Sequence, residues 1–287
     1  MKNILYTLAA FMTMSLLVSC EAEVDDTDVP ALTLTPSDLN FTVTQAATNN
    51  NLVTLTNLTP GTISYWSYTD ANGNELGHSN QNQTSVTFPF AGVYKVFFTA
   101  YAQGGTVVAD PVTINVSENN NEYFSAPEWA MLTNGVEGKT WVLDMASPVG
   151  WGGLEFPYGD TSDADNYWNW YPDYASTSWI MPNKNWGEMT FDLNGAYNVS
   201  VTQTALTTDT QTTKTGSYSF DIVNHNIIFN GGVELLYGGD YYPDVSNWTS
   251  VKVIELTATS LRLAVLRNQS RIGEDQALII FHYKPKA

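Results

Sequence analysis

The sequence predicts an all-β protein, in which an N-terminal β-sandwich is followed by a C-terminal antiparallel β-barrel or sandwich of about eight strands. Short stretches of alternating apolar and polar residues recur along the 287-residue chain, as expected of strands with one buried face. Turn signals such as Asn72-Gly73 and Asn194-Gly195 separate these stretches. Little of the chain has a helical period, so we expect the cores to lie between sheets.

The chain opens with a segment typical of protein export. Lys2 precedes an apolar run over residues 4–18, which is shorter than the ~20 residues that a membrane-spanning helix needs. The run leads to Cys20, the only cysteine, in a lipobox-like Leu-Val-Ser-Cys stretch. We therefore predict a lipoprotein signal peptide over residues 1–20, with Cys20 as the lipid-modified first residue of the mature protein. A plain secretory signal or membrane anchor is the alternative.

An acidic stretch follows at residues 21–30, without lysine or arginine. A stretch so poor in apolar residues predicts a disordered tether. It resembles the acidic export signal that directs lipoproteins to the outer face of the outer membrane in Bacteroidota. The resemblance implies a lipid-anchored protein at the cell surface.

Residues 31–117 form the predicted sandwich. Turn residues recur about every 8–12 residues and divide this region into about seven short strands, the pattern of a two-sheet sandwich. The clearest strand candidates lie at residues 51–55, 63–68, 86–88, 93–100 and 106–116.

This unit resembles the polycystic-kidney-disease-type (PKD) domain, whose fold is Ig-like. The stretch from Phe88 to Phe97, Phe-Pro-Phe-Ala-Gly-Val-Tyr-Lys-Val-Phe, is similar to the family's aromatic-Pro-x-x-Gly-x-Tyr-x-Val pattern. Trp66 stands where the family has the tryptophan of its Trp-Asp-Phe-Gly-Asp-Gly motif, although the acidic turn of that motif is absent. The resemblance implies an Ig-like spacer with Trp66 in its core.

Residues 118–127 are predicted to be a linker because they open with a polar run that ends at Glu122, and residues 128–287 form the second unit. The stretches Gly138–Leu143 and Leu256–Leu263 are similar to those of lipocalin-like domains in Bacteroidota lipoproteins, which implies a barrel. A jelly-roll carbohydrate-binding sandwich is the alternative. The predicted strands lie at residues 139–144, 188–193, 196–201, 217–222, 226–229, 249–256, 259–267 and 276–283.

The region from Trp151 to Trp186 is unusually aromatic and has neither a helical nor a strand period, so it is predicted to be mostly loop. Such a loop either folds back over a core or offers apolar faces to a ligand. Aromatic rings beside carboxylates and amides suit sugars, because pyranose rings have apolar C–H faces and a rim of hydroxyls. The predicted ligand contacts are Trp151, Trp168, Trp170, Tyr171, Trp179 and Trp186, with Asp163, Asp165 and Asn169 as polar partners.

Charge and composition narrow the ligand class. The net charge of −18 leaves no basic patch for nucleic acid and would repel acidic glycans, which favours a neutral polysaccharide. No metal-ligand spacing is present, but Asp160, Asp163 and Asp165 could wrap a calcium ion. The three histidines are isolated along the sequence, so no catalytic residue is predicted.

The layout of the chain resembles the surface glycan-binding lipoproteins that accompany outer-membrane glycan importers in Bacteroidota. The resemblance implies a non-catalytic monomer that captures a neutral polysaccharide, with a β-1,3-glucan such as laminarin as the first candidate, and passes it to an importer complex. Three alternatives stay open. They are a glycoside hydrolase that uses loop carboxylates such as Glu155 and Asp173, a lipocalin-like carrier of an apolar ligand, and an adhesive surface protein.

Overall fold

The computed structural model describes residues 31–287, so the predicted signal peptide, Cys20 and the acidic tether lie outside it. The regular secondary structure of the described chain is mostly antiparallel strand with little helix, which confirms the all-β prediction. None of its helices is long and apolar enough to cross a membrane.

The N-terminal unit is a sandwich of two sheets. One sheet has the order β1-β2-β5, and the other has the order β4-β3-β6-β7 with β8 paired to β6. The strands are β1 (Phe41–Ala46), β2 (Asn49–Asn57), β3 (Ile63–Thr69), β4 (Glu75–Ser79), β5 (Gln83–Thr87), β6 (Gly92–Ala102), β7 (Gly105–Val108) and β8 (Val112–Val116).

Trp66 lies in the sandwich core, as predicted. Its side chain is fully buried, and its ring centroid lies 4.3 Å from that of Phe98. Its indole N–H donates to the carbonyl of Gln81 at 3.0 Å. The predicted strand 106–116 is wrong in one respect, since it is divided into β7 and β8. Pro111 lies between the two and cannot donate a ladder hydrogen bond.

The C-terminal unit is an eight-stranded barrel with an added hairpin. Strands β12 to β18 pair in chain order, and β9 closes the barrel by pairing with both β12 and β18. In the hairpin β10–β11, strand β10 pairs with the first half of β18, whereas β9 pairs with its last residues. The strands are β9 (Lys139–Leu143), β10 (Val149–Gly152), β11 (Asn169–Trp170), β12 (Gly187–Asp192), β13 (Asn198–Thr204), β14 (Gln211–Asp221), β15 (Asn226–Asn230), β16 (Ser250–Leu256), β17 (Leu261–Arg267) and β18 (Ala277–Pro285).

Large side chains fill the barrel. Trp141, Met189 and Phe281 are fully buried there, and they belong to one continuous cluster that extends to both ends of the barrel. The interior is therefore a packed core, one of the two outcomes that a barrel of eight strands allows.

A short helix, α1 (Pro127–Thr133), covers the end of the barrel nearer the sandwich. The sequence predicts a linker that ends at Pro127 and no helix here, and this prediction is wrong. Pro127 fits the first helical turn, and Asn134 ends the helix in a left-handed conformation. Its residues Trp129 and Leu132 pack into the barrel core.

The sandwich contacts this same end of the barrel. Phe90 leaves the sandwich and packs against Tyr197 and Phe124, with ring centroids 4.8 and 5.2 Å away. Asn119 connects the two units, because its amide donates to the carbonyl of Leu193 and its side-chain oxygen accepts from the backbone of Ala91. The predicted linker is thus packed between the units.

Candidate functional site

The longest loops of the barrel lie together at the end away from the sandwich. In an antiparallel barrel whose strands pair in chain order, alternate connections fall at the same end. The connections at this end span residues 144–186, 205–210, 231–249 and 268–276. The predicted aromatic region is the first of these, so the fold brings it against three other loops.

A cleft of about 600 Å³ opens between these loops. Four tryptophans of the aromatic region line it, together with Tyr241 from the loop 231–249. The other lining residues come from the segment 244–274. The tryptophans are Trp151, Trp168, Trp170 and Trp179, and the other lining residues are Asp244, Arg267, Ser270, Arg271, Ile272 and Glu274.

The hairpin β10–β11 aims three of the tryptophans into this cleft. Trp151 and Trp170 are cross-strand partners, so their side chains share a face, and their rings stack with centroids 5.1 Å apart. Trp168 precedes Trp170 by two residues and lies on the same face because strand side chains alternate. Trp151 also opposes Ile279, a barrel-core residue, which places this face over the mouth of the barrel.

The tryptophan rings remain accessible. Trp168, Trp170 and Trp179 are 37, 46 and 75% exposed, values far above those of core residues. Trp179 belongs to a short 3-10 turn, Ser178–Ile180, in which Ile180 is buried and holds the turn against the core. Neighbouring apolar rings that stay exposed are costly in water and are typical of interaction surfaces.

Tyr241 connects two of the loops. Its hydroxyl donates to the carbonyl of Ile180 at 2.8 Å, and its ring meets that of Trp151 edge to face at 5.8 Å. Burial, with smaller contributions from Asp244 and Asp240, raises the pKa of Tyr241 to about 12. The hydroxyl is therefore neutral and able to donate.

Salt bridges between arginine and carboxylate side chains hold the charged groups on one side of the cleft. Arg271 donates to Asp244 at 2.9 Å and to Asp240 at 2.9 Å, and Arg267 pairs with Glu274. The hydrogen bonds from Arg271 hold the pKa of Asp244 below its ordinary value. Two arginines and two carboxylates line the cleft, so its formal charge cancels although the whole chain carries −18.

Two predicted aromatic contacts lie elsewhere. Trp186 is 2% exposed and belongs to the barrel core, so no face of its ring is free for a ligand. Tyr171 follows Trp170 and therefore points to the opposite face, where it packs on an outer cluster around Ile280. The guanidinium of Arg262 lies 4.5 Å from the Tyr171 ring.

The predicted polar partners do not line the cleft either. Asn169 is exposed on the opposite side of β11 from Trp168. The carboxylate of Asp163 accepts from the backbone and side chain of Asn166, and the carbonyl of Asp165 accepts from the indole of Trp168 at 3.1 Å. These contacts shape the turn that positions Trp168.

The predicted calcium ligands also make local contacts. Asp160 accepts from the backbone and hydroxyl of Ser162, while Asp163 is engaged by Asn166. Within residues 31–287, no three acidic, histidine or cysteine side chains gather as a metal site would require. Calcium at Asp160, Asp163 and Asp165 stays a prediction without a coordinating geometry.

Part of the aromatic loop covers the outside of the barrel. The hydroxyl of Tyr158 donates to the carbonyl of Val253 at 2.8 Å, and its ring stacks on His225 at 3.7 Å. Phe156 packs with Tyr171 on the outer cluster. One part of the loop therefore folds back over the barrel, and another part exposes apolar rings in the cleft.

The residues that complete the cleft are not among the contacts that the sequence predicts. The sequence could have indicated Tyr241 as a contact, because it lies in a second aromatic, glycine-containing loop, Tyr237 to Tyr242. Arg271 and Ile272 gave no such signal in a polar stretch, and only the closure of the barrel brings them opposite the tryptophans. Ile272 is 80% exposed at the tip of its loop.

The fold and the cleft define a class: a two-unit all-β protein with an aromatic cleft at the free end of a packed barrel. No family model matches the chain, and no curated protein matches it.

Proposed function

We propose that this protein binds a neutral polysaccharide without cleaving it, as a lipid-anchored protein of the outer-membrane surface that serves a glycan importer. The observation that carries the proposal is the cleft lined by Trp151, Trp168, Trp170 and Trp179. Flat, exposed indole rings beside fixed polar groups suit the C–H faces and hydroxyl rims of sugar rings. The location and the importer rest on the sequence resemblance and on Cys20.

The expected affinity suits capture and release. If each stacked indole covers about 40 Å² of apolar surface, it contributes roughly 1 kcal/mol at about 25 cal/mol/Å². Four such contacts contribute roughly 4 kcal/mol, which by itself corresponds to a Kd of about 1 mM, so hydrogen bonds to the sugar hydroxyls must offset the cost of association. Such a complex forms readily and still releases its ligand to a partner.

Charge supports a neutral ligand. The acidic and basic residues of the cleft neutralise one another, and the surrounding field of the chain is negative. A sulfated or uronic polymer would therefore meet repulsion without a free cation to offset it, because Arg267 and Arg271 are both paired. A β-1,3-glucan such as laminarin is the first candidate, by resemblance.

Hydrolysis fits the geometry less well. A glycoside hydrolase needs a carboxylic acid that stays protonated near neutral pH and a second carboxylate facing it. Of the acidic residues that line the cleft, Asp244 is held ionised by Arg271 and Glu274 pairs with Arg267. None of the loop carboxylates named as catalytic candidates lines the cleft.

A carrier of an apolar ligand is also less well supported. Lipocalin-like transport needs space inside the barrel, whereas here Trp141, Phe191 and Phe281 are among the fully buried side chains that fill it. An apolar ligand would have to displace this core.

Affinity gel electrophoresis of residues 21–287 tests the proposal against laminarin, barley β-glucan, xyloglucan, starch and mannan, read beside an assay for released reducing sugar. We expect at least one neutral polymer to retard the protein without sugar release. Sugar release would instead establish hydrolysis, and migration unaffected by every polymer would contradict the proposal.

A further inference from the structure

A second cleft, of about 290 Å³, lies at the same end of the barrel. Its walls are the hairpin β13–β14 and the loop 231–249. Val201 pairs with Lys214, and Gln203 pairs with Thr212, so these four side chains share the inward face of the hairpin. Val201 belongs to the barrel core, which forms the floor of this second cleft.

One turn separates the two clefts. Tyr241 lines the first cleft, which we call the tryptophan cleft after its four lining tryptophans. The next residue, Tyr242, lines the second cleft. Consecutive Cα atoms are only about 3.8 Å apart, so the two clefts open on either side of a single chain segment. Tyr242 begins a 3-10 turn, Tyr242–Asp244, and stacks on the buried Trp248 with ring centroids 5.3 Å apart.

The second cleft repeats the chemistry of the first. Tyr242 is 42% exposed and gives the cleft an aromatic surface. Its hydroxyl donates to one carboxylate oxygen of Glu234 at 3.0 Å, and Lys214 contacts the other at 3.0 Å. The paired charges cancel, while their remaining donor and acceptor positions suit sugar hydroxyls.

We propose that the second cleft is a further subsite for the same polysaccharide chain, which crosses the Tyr241–Tyr242 turn and occupies both clefts. This inference rests on the function proposed above and defines its ligand as an extended chain rather than a chain end or a short sugar. Each cleft alone binds weakly, and the covalent link between sugars raises the effective concentration of the second segment once the first is bound.

The test compares short and long fragments of a polymer that retards the protein. Calorimetric titration uses its disaccharide and its octasaccharide. Thr212→Trp fills the second cleft and leaves Tyr242 in place, and Thr213→Trp is the matched control because Thr213 lies on the opposite face of β14. We expect Thr212→Trp to weaken octasaccharide binding about tenfold and to leave disaccharide binding unchanged. Thr213→Trp should change neither.

Tyr242→Ala provides a second variant that removes the aromatic surface instead of filling the space. It should likewise weaken only the octasaccharide. Full octasaccharide affinity in both variants would overturn the second subsite while leaving the tryptophan cleft standing. An equal loss for both fragments would also overturn it, since the effect would then be transmitted to the first cleft. Failure of every polymer to bind the unaltered protein would instead contradict the proposed function.

Discussion

Single residues of the hairpin β10–β11 determine which side chains line the cleft. Trp168 and Trp170 alternate with Asn169 and Tyr171, so two neighbouring aromatics end on opposite sides of one strand. The sequence predicts that this aromatic region is mostly loop, without a strand. An alternation over only four residues cannot be distinguished from a loop in the sequence. These residues form a strand because they pair with β10.

Trp170→Ala is expected to weaken polysaccharide binding about tenfold, or ~1.4 kcal/mol, with little loss of stability. The reason is that Trp170 is 46% exposed and contributes its free surface to the cleft. Trp186→Ala is the contrasting variant. Because Trp186 is buried, its loss should lower the free energy of unfolding by ~3–5 kcal/mol.

Affinity electrophoresis and thermal denaturation of both variants measure these effects. A large loss of stability in Trp170→Ala would mean that this ring supports the fold instead of the ligand.

At the scale of elements, the aromatic loop depends on close contact between two backbone segments. Gly153 donates to the carbonyl of Trp168 at 2.9 Å. A Cβ atom on Gly153 would lie 2.2 Å from the carbonyl oxygen of Asn166, which is a backbone atom and cannot rotate away. The loop therefore needs glycine at this position.

Gly153→Ala should separate the two segments and displace Trp168, so we expect weaker binding together with a modest fall in melting temperature. Ala164→Ser, at an exposed position of the same loop, is the control and should behave like the unaltered protein. Unchanged binding in Gly153→Ala would show that the cleft does not depend on this contact.

Strand β18 carries a buried histidine beneath the same loop. His282 is 5% exposed and meets the Tyr171 ring edge to face at 4.7 Å. Burial, reinforced by the positive charge of Arg262, lowers its pKa from 6.5 to about 4. The unfolded chain therefore binds more protons than the folded chain between these two values, and the histidine's contribution to stability is lost as the pH falls through that window.

Melting temperatures at pH 7 and pH 5 test this sign. We expect the unaltered protein to lose a few degrees at pH 5, and His282→Gln to lose less because its side chain does not titrate. An equal loss in both proteins would assign the pH dependence to other groups.

Within residues 31–287, the cleft lies far from the first described residues. Leu32 lies near Gly105 at one end of the sandwich, and Ala91 bonds to Asn119 at the other. Strand β6 runs between these ends and spans roughly 35 Å. The barrel follows, with the cleft at its outer end. If Cys20 carries the lipid anchor, this arrangement holds the cleft away from the membrane.

Phe90 connects the two units and should make them unfold together. Phe90→Ala is expected to cost about 3 kcal/mol and to separate thermal unfolding into two transitions, because the ring packs into the barrel core. Val93→Ala, an exposed position of β6, is the control. A single transition in Phe90→Ala would show that other contacts couple the units.

The sequence predicted most of the strands, because period-two patterns and Asn-Gly turns depend on neighbouring residues alone. It correctly favoured a core position for Trp66. It missed α1, which is short and stabilised mainly by Trp129 and Leu132 against the barrel. It could not separate Trp186 from the exposed tryptophans, since burial depends on barrel closure. The same closure brings Arg271 to the cleft.

The most direct test of the tryptophan cleft is affinity electrophoresis of the Trp168→Ala/Trp170→Ala double variant beside the unaltered protein and Asn169→Ala, which changes the opposite face of the same strand. We predict that a neutral polysaccharide retards the unaltered protein and Asn169→Ala but not the folded double variant. Equal retardation of all three proteins would contradict the claim that this cleft binds the polysaccharide.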